Sequence, residues 1–144
     1  MKFNVLNDIQ LSKNFKISEF ECNDGTHEIM LDIRLVEALQ RLRVMLGVPI
    51  TVAAGYRNPV HNKAVGGSPN SRHMKGEAAD VKVTSLTPKM VGLAAIKCGF
   101  TGIGVYRFNG QMFNHLDVRP TKSYWCDIKG SKLLKAVKTI EEIK

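Results

Sequence analysis

His73 and Asp80 stand seven residues apart in Ser71-Arg72-His73-Met74-Lys75-Gly76-Glu77-Ala78-Ala79-Asp80, and a second histidine follows in Asn114-His115-Leu116-Asp117-Val118-Arg119. Two imidazoles and one carboxylate are the ligand set of a catalytic zinc whose fourth position is left to water. Asp80 falls in a run of apolar and small residues, where a carboxylate is costly to bury unless it is paired or bound to metal. Each histidine alone would be read as an ordinary hydrogen-bonded side chain. The three residues together favour a metal site, and with it a metal-dependent hydrolase.

The elements that must position these residues are legible in outline. Asn109-Gly110, between the strand-like runs 102–108 and 111–118, is a strong hairpin signal. A two-residue loop pairs Phe108 with Gln111, Tyr106 with Phe113 and Gly104 with His115. A glycine opposite His115 leaves space beside the imidazole. Asp117 lies two residues on, on the same strand face. From there it either approaches the metal and its water, orients His115 as a supporting carboxylate, or pairs with Arg119.

Upstream, Asp32 caps a helix that runs to about Leu46, with Leu35, Leu39, Leu42 and Leu46 at helical spacing and Gly47 as its stop. Residues 50–54 form a β-branched strand, Gly55-Tyr56-Arg57-Asn58-Pro59 a turn, residues 60–65 a short helix and residues 66–71 a loop. Residues 78–83 read as a second strand. Thr87-Pro88 caps a helix that ends before Gly99. Residues 15–20 read as a short alternating piece. From about Ser131, Leu134, Val137 and Ile140 predict a final amphipathic helix. The expected fold is a single α+β domain over residues 1–144, with a small antiparallel sheet packed against helices.

The bulk properties bound the function. A chain of 144 residues supports one sizeable core. No run is apolar enough to cross a membrane, and the first residues lack the uninterrupted apolar stretch of a secretory signal. The expectation is therefore synthesis in a cytoplasm without a signal peptide, with no membrane insertion. Cys22, Cys98 and Cys126 form no C-x-x-C pair, which argues against a structural zinc knuckle and for buried free thiols. The net charge of +8 favours an anionic partner. Without an aromatic-basic or zinc-finger pattern, an anionic cell envelope suits that charge better than nucleic acid; a solvated basic surface with no dedicated partner is the alternative.

The pattern Ser71-x-His73-x-x-Gly76-x-Ala78-x-Asp80 resembles the signature of the zinc D-Ala-D-Ala metallopeptidase family, which includes D,D-carboxypeptidases, D,D-dipeptidases and L-alanyl-D-glutamate endopeptidases, many of them phage endolysins. Residues 55–62 resemble that family's G-Y-R segment, residues 15–22 its leading segment, and His115-x-Asp117-x-Arg119 the H-x-D-x-R strand of its carboxypeptidase-like branch. The resemblance spans about residues 15 to 119. It implies a hedgehog and D-Ala-D-Ala-peptidase-like fold, with Zn2+ held by His73, Asp80 and His115. It also implies that Arg57 faces the substrate, where its guanidinium would stabilise a developing oxyanion. Ser71 either bonds substrate or braces the turn around Gly76.

One departure matters. Several branches place an acidic general base three residues before the last zinc histidine, and here that position is Met112. Asn114 cannot act as a base either. Asp117 is the nominee, ahead of His61 and Glu77, while His27 takes no role. The resulting expectation is a zinc metallopeptidase that acts as a monomer on peptidoglycan peptide stems, released to the bacterial cell wall through a holin-type pore. Whether it cuts a terminal D-Ala-D-Ala or an internal L-Ala-D-Glu bond stays open. The rival readings are a non-catalytic zinc-binding module on the same scaffold and a basic nucleic-acid-binding protein.

Overall fold

A computed structural model describes residues 9–130 and 134–144. Their elements are helices α1 (Ile33–Leu46), α2 (Pro59–Ala64) and α3 (Pro88–Ile96), and strands β1 (Thr51–Ala54), β2 (Ala78–Lys82), β3 (Gly102–Phe108), β4 (Gln111–Asp117), β5 (Ser123–Asp127) and β6 (Lys135–Val137). The strands form one six-stranded sheet in the order β1-β2-β4-β3-β5-β6.

The helix ends follow their capping residues. Asp32 accepts a hydrogen bond from the Arg34 backbone, and Gly47 closes α1 at φ 68°. Leu35, Val36, Ala38, Leu39 and Leu42 make up the buried stripe of α1, which joins Val81, Val91, Ala95, Ile103 and Leu116 in one core. Asn58 caps α2 and Thr87 caps α3, each followed by proline at the start of the helix.

The hairpin has the register expected from its turn: Phe108 faces Gln111, Tyr106 faces Phe113 and Gly104 faces His115. On the other side of β4, Asp80 of β2 faces His115. One row across the sheet therefore reads Asp80, His115, Gly104, Trp125, the last through the pairing of β3 with β5.

Three expectations are corrected. The sheet is mixed, because β5 runs parallel to β3. Its strand was missed because Ser-Tyr-Trp-Cys-Asp is short and follows a proline-containing turn with no hairpin signal. The expected C-terminal helix begins in residues that lie outside the described ones; beyond them Lys135–Val137 is strand β6 and Ile140–Glu142 a 3-10 turn. Leu134 is exposed while Ile140 is fully buried, so the apolar spacing there does not mark one helical face. Finally, Ile17–Phe20 is a 3-10 turn, which lets both Phe15 and Phe20 enter the core.

Candidate metal centre

The turn that carries His73 is built from its neighbours. Ser71 Oγ accepts from the His73 backbone N–H at 3.2 Å and starts a 3-10 turn over Arg72–Lys75. Gly76 ends that turn at φ 69°, a conformation that favours glycine. A Cβ at Gly76 would also collide with the Met30 carbonyl. The Gly76 carbonyl in turn accepts from the Asp32 N–H at 2.9 Å, so the start of α1 is tied to the histidine turn.

The Gly-Tyr-Arg segment packs onto the same turn. Gly55 passes so close to Phe20 that a Cβ would stand 2.6 Å from the Phe20 Cα. This brings the Gly55 carbonyl to His73, whose Nδ1–H donates to it at 2.7 Å. The Arg57 N–H donates to the His73 carbonyl at 3.1 Å. Backbone contacts from both sides therefore fix the His73 ring, which is buried.

His73, Asp80 and His115 come together with one ligand atom each, all within 4.8 Å of one another. Asp80 Oδ1 lies 3.3 Å from His73 Nε2 and 3.3 Å from His115 Nδ1. The opposite nitrogen of each imidazole is already engaged as a donor: His73 Nδ1–H to Gly55, and His115 Nε2–H to Asp117 Oδ2 at 2.7 Å. In the neutral rings the two remaining nitrogens carry lone pairs. Two lone pairs thus converge on a carboxylate oxygen, an arrangement that calls for a cation between them. Atoms ligating a tetrahedral zinc at its usual bond lengths stand about 3.3 Å apart. The donor set and its spacing therefore fit a zinc ion.

The electrostatics agree. Burial disfavours the Asp80 carboxylate, but without a metal the imidazoles of His115 and His73, when protonated, hydrogen-bond to it, outweigh burial and hold the carboxyl well below the usual range. Burial likewise opposes charge on His115, and hydrogen bonds to Asp117 and Asp80 prevail and raise its pKa. Arg57 and Arg119 pair with the outer sides of Asp80 and Asp117, while Asp80 Oδ1 is left facing the two imidazoles.

Arg57 lies beside the three. Its Nη2 donates to Asp80 Oδ2 at 3.2 Å, on the carboxylate oxygen that does not face the histidines. Its Nη1 lies 3.5 Å from Asn62 Oδ1, and Asn62 is anchored through its Nδ2 to the Ser68 carbonyl at 2.9 Å. The guanidinium side chain is 17% exposed, so its position is set while part of its surface stays open to a ligand.

Asp117 is fully buried. Besides His115, it accepts from Arg119 through Nε at 2.9 Å and Nη2 at 2.6 Å, and from the Arg119 backbone at 3.1 Å. Burial raises the pKa of Asp117, but its bonds to His115 and Arg119 dominate and lower it. The carboxylate packs so closely on Gly102 that a Cβ there would overlap it.

The remaining sequence candidates fall around this centre. Ser71 braces the His73 turn. Glu77 accepts from Arg72 Nη1 at 3.2 Å. His61 sits in α2, its backbone bonded to the Asn58 cap, and His27 pairs with Glu21 at 2.8 Å. Met112 is exposed. Asn114 donates to the Pro88 carbonyl at 2.8 Å, which fixes the start of α3 against the hairpin.

Sequence reasoning overlooked two aromatic residues. The Trp125 ring lies 5.1 Å from that of His115, with the Arg119 guanidinium 5.1 Å from its centroid. Its Nε1–H donates to Tyr106 Oη at 2.7 Å, and Tyr106 stacks on Phe113 at 4.4 Å. Gly104 makes the space, since a Cβ there would stand 2.6 Å from Trp125 Nε1 and 2.7 Å from the Tyr106 ring. The signal for Tyr106 was present in the hairpin register, which puts it on the His115 face. Trp125 needed the missed strand.

Comparison with known proteins agrees with this geometry. Residues 13–117 match the family model described as Peptidase M15. Over 66 residues the chain is 46% identical to the zinc D-Ala-D-Ala carboxypeptidase of Streptomyces albus G; the match covers 45% of this chain and 26% of that relative, so the chain spans about a quarter of the relative's length. The family match takes in Arg57, His73, Asp80, His115 and Asp117 alike. The chain belongs to the peptidase M15 family.

Proposed function

We propose that the protein is a zinc-dependent peptidase that hydrolyses peptide stems of peptidoglycan, on the hedgehog and D-Ala-D-Ala-peptidase-like scaffold. The observation that carries the reading is the convergence of His73 Nε2 and His115 Nδ1 on Asp80 Oδ1, 3.3 Å from each, with Arg57 against the other carboxylate oxygen. His73, Asp80 and His115 would hold the zinc. A bound zinc supplies Lewis acidity, activating a water and polarising the scissile carbonyl.

The chain's own residues supply the rest. Gly55 and Asp117 fix the two imidazole tautomers, so that one unprotonated nitrogen of each points inward. Arg57 is positioned to hold the oxygen on which negative charge develops. Asp117 serves in this reading as the residue that orients His115, instead of the proton acceptor expected from sequence. It is fully buried and its oxygens are engaged by His115 and Arg119, which leaves no free approach for a water.

Similarity to a D-Ala-D-Ala carboxypeptidase supports a peptidoglycan stem peptide as substrate. The net charge of +8 suits encounter with an anionic envelope, as in an endolysin-type wall hydrolase. Among the described residues no helix is long and apolar enough to cross a membrane.

The test is hydrolysis of purified sacculi by the zinc-loaded and chelator-treated protein, with mass spectrometry of the released muropeptides. Chelator-sensitive cleavage is expected, and the new ends distinguish D-Ala-D-Ala from L-Ala-D-Glu scission. Full zinc occupancy without any cleavage would instead identify a non-catalytic zinc-binding module.

A further inference from the structure

Beyond the metal ligands and Arg57, the same sheet face carries a second polar device. Tyr106 lies two residues from Gly104 on β3, so both face the side occupied by His115. Its ring is held on two sides, stacked on Phe113 with an interplanar angle of 5° and set edge-on against the gap above Gly104.

The direction of the Tyr106–Trp125 hydrogen bond is chemically fixed. An indole N–H only donates, so Tyr106 Oη must accept from Trp125 Nε1. The phenol's own proton is therefore free to point elsewhere. Among the described residues no protein acceptor takes it. The group is half-buried, and a hydroxyl so placed gains most from a partner that arrives with a ligand.

Resting on the peptidase reading above, we propose that Tyr106 contacts the substrate, donating its O–H to a carbonyl or carboxylate oxygen of the peptide bound at the metal centre, and that Trp125 is the positioning residue which aims it. Burial raises the phenol's pKa; the Trp125 hydrogen bond opposes it, the Asp80 and Asp127 charges add to it, and Arg57 opposes it least. The hydroxyl thus keeps its proton at neutral pH. Trp125 links the phenol to the metal centre, bonded to Tyr106 Oη at 2.7 Å with its own ring 5.1 Å from that of His115.

The experiment uses a synthetic stem pentapeptide that contains both the L-Ala-D-Glu and the D-Ala-D-Ala bonds, with all rates taken at saturating zinc. Tyr106→Phe keeps the ring and its stack on Phe113 but removes the donor. We expect kcat/KM to fall roughly tenfold or more, with zinc content and thermal midpoint near wild type. A rise in KM would place the contact in the bound peptide, and a fall in kcat would place it on the developing oxyanion. Trp125→Phe, which keeps an aromatic ring and removes the N–H, should lower kcat/KM in the same sense by a smaller factor. The chain has a single tryptophan, so Trp125 emission also reports peptide binding directly in wild type and Tyr106→Phe. If wild type does not cleave the pentapeptide, the peptidase reading fails, and the Tyr106 contact is then judged on this binding signal alone. Tyr106→Phe within about twofold of wild type in kcat/KM, or in peptide affinity where no turnover exists, would overturn the proposal.

Discussion

His115 Nε2 donates to Asp117 Oδ2 at 2.7 Å, and that bond determines which nitrogen of His115 faces Asp80. Arg119 closes on the same carboxylate, so the ring's orientation is set by a three-residue relay lying entirely on the strand end. A carboxylate that holds an imidazole in this way affects metal affinity before it affects proton transfer.

Asp117→Asn keeps an acceptor for His115 but discards the charge that Arg119 neutralises. Zinc affinity should fall roughly tenfold to a hundredfold, and turnover should recover substantially as zinc is added. Chelator competition and zinc-dependent rates check this side by side. Unchanged zinc affinity with a rate loss of about two to four orders of magnitude would restore Asp117 as the proton acceptor.

Arg57→Lys replaces a planar fork with a point charge. The Asp80 contact can be remade in part, but the two-pronged approach to an oxyanion cannot. A fall in kcat of roughly tenfold or more is expected, with zinc content close to wild type by elemental analysis. Unchanged turnover would leave Arg57 as a brace between Asp80 and Asn62.

Zinc loading should depend on pH in a definite sense. In the metal-free protein the raised pKa of His115 means that its proton stabilises the fold below the unfolded value of about 6.5. That contribution is lost as pH rises through the folded pKa. Zinc takes the place of the proton and binds the unprotonated ring. The gain in Tm on adding zinc should therefore grow as pH rises above about 6.5 and through the raised folded-state pKa of His115. Differential scanning calorimetry with and without chelator measures it; a gain that shrinks with rising pH would contradict the assigned tautomers.

Gly76→Ala should be among the costliest small substitutions in the chain. The positive φ alone costs roughly 1–2 kcal/mol for an L side chain. The added methyl also meets the Met30 backbone, which cannot move without disturbing the start of α1. We expect a clear fall in Tm together with weakened zinc binding, because the same turn carries His73. A Tm within error of wild type would mean that the turn relaxes freely.

The parts of the fold that were legible in sequence are those governed by local chemistry. Asp32, Gly47, Thr87 and Asn109-Gly110 specify caps and a turn whatever the rest of the chain does, and the hairpin register followed from loop length alone. The cluster of His73, Asp80 and His115 was legible because a carboxylate such as Asp80, embedded in an apolar strand, must find a cation or a partner to offset its lost hydration. Strand β5 was not, because a parallel strand has no turn to announce it and its partner β3 lies on the far side of a hairpin. The burial of Asp117 was not legible either. Sequence places it on the His115 face but does not reveal that Gly102 lets it sink out of reach of solvent.

The placement of β5 also sets an order of assembly. Only residues 118–122 join β4 to β5, yet β5 lies across β3 from β4, so the chain must step over the end of a hairpin already closed. That hairpin, which carries His115, is local and forms on the microsecond scale. The β3–β5 pairing is less local and comes later. The indole's seat above Gly104 does not exist until β3 is in place. The expectation for refolding is that the half of the site that holds His115 precedes its aromatic wall, and a fluorescence phase of the lone tryptophan slower than hairpin formation would report it.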